Sequence, residues 1–280
     1  MIWLLPAAFC SISIAAILKI NERRGGDRLL LAGANYLCAS LFALVILRGS
    51  IGLPSTGTLV LGAVTGIIYV LGFLLLMAGI AKGPLAVPVT VMRLSVAVPV
   101  VVAIFLWNET PGPLQWAGLA AGAVAIVLFG LGIKVQDNDR HTGAGFWILM
   151  VAMFAVMGTG DVLLKAFREL SPDSERLVFT FLLFTSAAIF SWLVIIVRHV
   201  PFKRSTFLLG LLLGVPNLFS TVFTLLALRG VPASIAFPFI NLTVIFGSTL
   251  LALAAWKEKL GPVATAGLVV AALALILLPM

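Results

Sequence analysis

The chain has 280 residues, of which 62% are hydrophobic and 10% are charged, and its 18 Lys and Arg against 10 Asp and Glu give a net charge of +8. A soluble domain carries about 25% charged residues and could not hide this much apolar surface from water, so a soluble fold is excluded. The positive charge therefore indicates cationic loops at an anionic membrane face rather than binding to nucleic acid.

Ten apolar stretches, separated by charges and Pro/Gly turns, predict an all-α integral membrane protein of ten transmembrane helices. A span needs about 20 mostly apolar residues to cross about 30 Å of hydrocarbon. The weakest divisions are Lys82-Gly83-Pro84 and Arg229-Gly230-Val231-Pro232. The predicted spans are Ile2–Ile20, Leu29–Leu47, Thr58–Ile80, Leu85–Trp107, Leu114–Ile133, Ala144–Lys165, Leu177–Val197, Thr206–Leu228, Ala233–Trp256 and Leu260–Leu278.

The two halves of the chain resemble each other. Trp107-Asn108-Glu109 ends span 4, and Trp256-Lys257-Glu258 ends span 9, at an offset of 149 residues that Gly118 and Gly267 share. Five helices per half bring the second copy into the membrane from the opposite side. Such inverted repeats recur in secondary transporters, where exchange of the two conformations opens a central cavity to alternate faces. The predicted repeats are residues 1–135 and 144–280, joined by a loop at 136–143.

Lys and Arg distribution predicts the orientation of the spans. The loops after odd-numbered spans carry 12 of these residues and the loops after even-numbered spans carry five. The positive-inside rule then places the first set in the cytoplasm and both termini outside. Loop 6–7, with Lys165, Arg168 and Arg176, opposes this orientation.

Several loose motifs carry a family resemblance. They are the two Trp-x-Glu helix ends, Gln115-Trp116-x-Gly118-Leu119 after the first, Lys19 leading to Asn35-Tyr36, and Lys165 at the end of span 6. In these features the whole chain resembles the drug/metabolite transporter superfamily, specifically its ten-helix EamA-like branch. The resemblance implies a carrier of small metabolites with a cavity between the halves. It also implies cytoplasmic termini, the alternative to the orientation given by charge.

Two charged residues lie inside predicted spans, where charge is costly. Arg93 lies about 12 Å along span 4 at 1.5 Å per residue. It either binds a substrate carboxylate or phosphate or is satisfied by nearby carbonyls and water. Asp161 lies one turn before Lys165 and either forms an i, i+4 pair with it or acts as the proton-coupling carboxylate. Direct pairing of Arg93 with Asp161 requires a broken helix.

Uncharged polar residues in the spans predict a substrate cavity lined together with Arg93. The alternative for each is an interhelical hydrogen bond, worth about 0.6 kcal/mol on average in membrane proteins. The asparagines favour a cavity more than the threonines do, because amides need more partners. The predicted substrate-binding residues besides Arg93 are Asn35, Tyr36, Thr90, Asn217, Thr221, Asn241 and Thr243.

Small residues and prolines predict packing and kinks. Gly62-x-x-x-Gly66, Gly118-x-x-x-Gly122 and Gly210-x-x-x-Gly214 favour close helix contact. Prolines within or near spans, such as Pro99 and Pro238, remove backbone hydrogen bonds and act as gating kinks or as tolerated interruptions.

Enzyme and metal chemistry find little support in the sequence. His141 and His199 stand without a metal-binding motif, and Glu109 and Glu258 are predicted to be solvated helix-end residues. We expect no catalytic residue, metal or cofactor. The predicted protein is a secondary transporter in the cell (inner or plasma) membrane, a monomer or homodimer, with a small-molecule substrate, a proton as candidate coupling ion and surrounding lipids. The alternative is a flippase or scramblase that binds a phospholipid or polyprenyl-phosphate head group.

Overall fold

The computed structural model describes residues 1–47, 54–83, 86–132, 143–257 and 261–280. These residues form helices and no strands. A short 3-10 helix, η1, covers Asp173–Glu175. The α-helices are α1 (Leu4–Arg23), α2 (Arg28–Leu47), α3 (Thr56–Lys82), α4 (Ala86–Leu94), α5 (Ala97–Leu106), α6 (Pro113–Gly132), α7 (Ala144–Leu170), α8 (Arg176–Val197), α9 (Arg204–Ala227), α10 (Ala233–Trp256) and α11 (Pro262–Leu277).

Length and hydropathy make the chain a multi-pass α-helical membrane protein. Nine helical stretches among the described residues are long and apolar enough to cross a membrane, and α4 and α5 together supply one of them. The helix α11 is apolar but has 16 residues. The two weakest predicted divisions are confirmed, since α3 ends at Lys82 and α9 ends at Ala227 before α10 begins at Ala233.

The predicted span Leu85–Trp107 contains one of these stretches, Val87–Leu106, and within it the helix is broken between α4 and α5. Pro99 has no N–H to donate to the Ser95 carbonyl, and its ring would clash with that carbonyl in a continuous helix. The Ser95 carbonyl accepts instead from the Val98 N–H at 3.0 Å. The break therefore follows from proline chemistry in the middle of an apolar span.

The chain forms two compact units that cut across the sequence halves. Unit 1 comprises residues 1–70 and 163–230, and unit 2 comprises residues 71–162 and 231–280. Each unit thus combines helices from both predicted repeats, and α3 and α7 contribute residues to both units.

In unit 1 the helix α2 packs against both α8 and α9, and α1 packs against α9. Glycine permits the closest approach: a Cβ at Gly210 would lie 2.6 Å from the Leu31 carbonyl oxygen, and one at Gly214 would lie 2.7 Å from that of Asn35. The prediction that this glycine pair serves helix packing is confirmed.

In unit 2 the helices α6 and α11 pack side by side and run antiparallel. A Cβ at Gly118, near the start of α6, would lie 3.0 Å from the backbone nitrogen of Leu278, just after the end of α11. A Cβ at Gly267, near the start of α11, would lie 3.3 Å from the backbone nitrogen of Phe129, near the end of α6. The two contacts correspond, since Phe129 and Leu278 are also 149 residues apart.

Glu109 is not the simply solvated residue that the sequence predicts. Its Oε1 accepts from the Ala233 N–H at 2.9 Å and its Oε2 accepts from the Ser234 N–H at 2.8 Å. The first N–H groups of a helix have no partner inside the helix, and a carboxylate there also interacts favourably with the helix dipole. Asn108, with φ of 51°, turns the chain after α5 so that Glu109 reaches this position. Glu258 lies outside the described residues.

Glu109→Ala is expected to destabilise the protein by about 0.5–2 kcal/mol, because two backbone donors at the start of α10 lose their acceptor. Thermal unfolding of the purified protein should show a lower midpoint. Glu109→Gln keeps one acceptor oxygen, so its midpoint should fall between those of wild type and Glu109→Ala. Equal midpoints for all three proteins would show that the cap contributes nothing.

Candidate functional site

The predicted site residues are divided between the two units, and each unit is described by itself. Unit 1 holds Asn35, Tyr36, Asn217 and Thr221. Unit 2 holds Thr90, Arg93, Asp161, Asn241 and Thr243.

Arg93 and Asn241 form a reciprocal contact in unit 2. Arg93 Nη1 donates to Asn241 Oδ1 at 3.2 Å, and Asn241 Nδ2 donates to the Arg93 carbonyl oxygen at 2.9 Å. Arg93 lies in the last turn of α4, where the helix break leaves carbonyls without an i+4 donor. The amide of Asn241 therefore satisfies a carbonyl at the break and holds the guanidinium beside it. We call this pair the Arg93–Asn241 clasp.

The clasp leaves most of the guanidinium available to a ligand. A guanidinium carries several N–H donors in a rigid fork that fits carboxylate and phosphate, and Asn241 takes a bond from Nη1 alone. The side chain is only partly buried in unit 2. A positive charge at a helix C-terminus is also favourable to the helix dipole. The clasp thus orients the Arg93 guanidinium, a cation inside an apolar span, so that it can bind an anionic group.

Asn35 and Asn217 form the corresponding polar contact in unit 1. Asn217 Nδ2 donates to Asn35 Oδ1 at 3.1 Å, which joins α9 to α2. Asn35 is buried, and Tyr36 beside it is buried with its ring 6.3 Å from that of Phe184. The interhelical reading of these asparagines is confirmed for this pair. A ligand role for them stays a prediction.

Thr221 and Thr243 form hydrogen bonds within their own helices instead of the interhelical bonds that the sequence suggests. Thr221 Oγ1 donates to the Asn217 carbonyl at 3.2 Å, and Thr243 Oγ1 donates to the Phe239 carbonyl at 2.8 Å. Both bonds are within one helix, because a threonine hydroxyl can reach the carbonyl four residues earlier. Thr90 packs against α6, where a Cβ on Gly130 would lie 2.1 Å from its Oγ1.

Asp161 lies one turn after Gly158, the residue of α7 that packs against the helix break. A Cβ at Gly158 would lie 2.8 Å from the Ser95 carbonyl oxygen and 2.3 Å from Val98 Cβ. Asp161 itself is partly buried. Lys165 pairs with Glu169, with 2.6 Å between Nζ and Oε1, rather than with Asp161. Within the described chain no ion pair joins Asp161 to Arg93.

Two contributors to the site escaped prediction. Ser95 supplies the carbonyl at the break, and its Oγ donates to the Met92 carbonyl at 2.7 Å. Glu109 anchors the start of α10, the helix that carries Asn241. Pro99, four residues after Ser95, was the available signal for the first. The second depends on contact between distant parts of the chain.

The described part of the chain contains no cluster of metal-binding side chains. No group of three or more His, Cys, Asp or Glu side chains there could hold a metal ion. His141 and residues 136–142 of the predicted connecting loop lie outside the described residues.

Comparison with known proteins supports the fold and gives no information on function. No family model matches the chain. A relative from Haemophilus influenzae, described as an uncharacterized protein, is 22% identical over 281 residues, covering 95% of this chain and 93% of the relative. A solved structure, described as the crystal structure of a protein, matches with a TM-score of 0.79 at 16% identity, covering 99% of this chain and 98% of the other. This likeness shows that the two chains share a fold over nearly their full lengths.

Proposed function

We propose that the protein is a secondary transporter of the cell membrane that moves a small polar or amphipathic metabolite by alternating access. The observation that carries the proposal is the Arg93–Asn241 clasp at the break between α4 and α5. Arginine inside an apolar span is costly and marks a substrate or ion pathway in membrane proteins. Broken helices near the bilayer midplane form the binding sites of many secondary transporters.

Reciprocal packing of α6 and α11 supports the inverted repeat within this proposal. The contact of Gly118 with Leu278 maps onto that of Gly267 with Phe129 when each residue is shifted by 149 positions. Because the two helices are antiparallel, the two contacts fit a two-fold axis perpendicular to the helices, as an inverted repeat requires. Two copies related in this way enter the membrane from opposite sides, and exchange of their conformations would open the substrate site to alternate faces.

A flux measurement on the purified protein tests the proposal. The protein is reconstituted in liposomes, and a panel of radiolabelled anionic, neutral and cationic metabolites is followed with and without an imposed pH gradient. A transporter moves at least one solute faster than empty liposomes do, and unlabelled solute competes. Scrambling of a fluorescent phospholipid without solute flux would instead identify the flippase alternative. Absence of any flux across the panel would overturn the transport proposal.

Asp161 is the residue that we propose for proton coupling. Asp161→Asn cannot take up a proton, so we expect accumulation driven by a pH gradient to be lost while exchange of labelled for unlabelled substrate continues. Both are measured in the same liposomes. Glu22→Gln is the matched control, because Glu22 is an exposed carboxylate paired with Arg28 and should leave both activities unchanged. Full gradient-driven accumulation by Asp161→Asn would reject the assignment.

A further inference from the structure

The end of α7 and the start of α8 in unit 1 carry a cluster of cations that the transport proposal does not use. Phe167 and Phe179 fix this region, since both rings are buried and stack with 4.1 Å between their centroids. Arg168 follows Phe167 directly, and Arg176 begins α8. The stacked rings therefore hold the two arginines on a rigid part of the fold.

The carboxylates near the cluster are already engaged. Glu169 accepts from Lys165. Asp173 Oδ1 accepts from Arg176 Nη1 at 2.9 Å and from Arg229 Nε at 2.9 Å. These pairs leave the charge of Arg168 without a carboxylate partner among the described side chains.

Glu175, the remaining acidic residue of this region, faces the start of α3. Its Oε2 accepts from Ser55 Oγ at 2.7 Å, and its two oxygens each lie 3.1 Å from the Ser55 N–H. Its charge is therefore directed to the first turn of α3 rather than to either arginine.

Three buried polar atoms of the cluster have no hydrogen-bond partner within the described residues: Arg168 Nε, Ser171 Oγ and Arg176 Nε. Ser171 is 8% exposed, and it lies three residues after Arg168, on the same face of the end of α7. A buried donor without a partner costs about 1–3 kcal/mol, so each of these atoms needs an acceptor, and all three belong to residues at the junction of α7 and α8. The charges of Arg168 and Arg176 also act on each other, which an anion between them would relieve.

We infer that Arg168, Ser171 and Arg176 form a binding site for a phosphate group. Guanidinium groups and a hydroxyl donate to phosphate oxygens, and arginine binds phosphate through two parallel N–H bonds. The site lies where α7 ends and α8 begins. Its ligand is either the phosphodiester of an anionic phospholipid or free phosphate. The inference stands on unit 1 alone and does not depend on the transport proposal.

Thermal unfolding of the full chain in a nonionic detergent tests the inference. The additions are phosphatidylglycerol, phosphatidylcholine with the same acyl chains, inorganic phosphate, and chloride at matched ionic strength. A ligand at a hundredfold excess over its Kd should raise the midpoint by about 5 °C. A shift with phosphatidylglycerol alone identifies the lipid, and one with inorganic phosphate identifies the phosphate itself. Equal midpoints with all four additions would overturn the inference.

Variants test whether anion binding depends on this site or on positive charge in general. Arg168→Gln and Arg176→Gln should each weaken binding at least tenfold, whereas Arg198→Gln at the opposite end of α8 should bind as wild type does. Ser171→Ala, which removes one hydroxyl and leaves the charges in place, should weaken binding about fivefold. It keeps the inference testable if an arginine variant does not fold. Wild-type affinity in Ser171→Ala, or an equal loss in Arg198→Gln, would contradict the site.

Discussion

Arg93→Ala is expected to weaken binding of an anionic substrate by about 10- to 150-fold, because a hydrogen bond to a charged group contributes about 1.5–3 kcal/mol. The variant should remain folded. The Asn241 amide bonds to the backbone carbonyl of residue 93, and this bond does not need the arginine side chain. Affinity is measured by thermal shift with the solute that the flux panel identifies. Unchanged affinity would falsify the assignment of Arg93 as the substrate cation.

Asn241→Ala tests the orientation of the Arg93 side chain separately from its charge. It keeps the guanidinium but removes both contacts, so Arg93 loses its orientation and its carbonyl loses its donor. We expect affinity to fall and the unfolding midpoint to fall as well, in contrast to Arg93→Ala. Thr249→Val is the matched control on α10, because the Thr249 hydroxyl bonds the Ile245 carbonyl of its own helix. If Asn241→Ala bound substrate as wild type does, the clasp would not orient the arginine.

Gly66→Ala is expected to lower the unfolding midpoint by about 2–6 °C, since overpacking costs about 1–3 kcal/mol. A Cβ there would lie 2.0 Å from Ser186 Oγ and 2.1 Å from the Leu183 carbonyl oxygen. The serine side chain can rotate away, but the backbone carbonyl cannot. The new methyl group must therefore push α3 away from α8 within unit 1.

Gly145→Ala provides the control for a glycine-to-alanine change in a helix. Gly145 lies in the first turn of α7, and no heavy atom stands within 4 Å of its Cβ position. Alanine favours the helix over glycine by up to about 1 kcal/mol, so the midpoint should stay or rise slightly. A similar loss of stability in both variants would mean that close packing is not the cause in Gly66→Ala.

The sequence by itself determined the class of protein and the number of its apolar segments. Lipid favours exposed apolar side chains and requires backbone polar groups to bond within helices, so composition and segment length predict the helices directly. The divisions between α3 and α4 and between α9 and α10 were placed correctly from local chemistry alone. The orientation, the inverted repeat and the transport function stay predictions, with the support given above.

Only the tertiary structure decided which polar residues meet. Arg93 and Asn241 are 148 residues apart, and Asn35 and Asn217 are 182 apart, and no local pattern reports such contacts. The same holds for Glu109 at the start of α10. The break at Ser95 had a local signal in Pro99, yet proline in a span is often tolerated without a break. Hydrophobicity places each helix in the membrane, whereas contacts between distant side chains determine where its charge can be used.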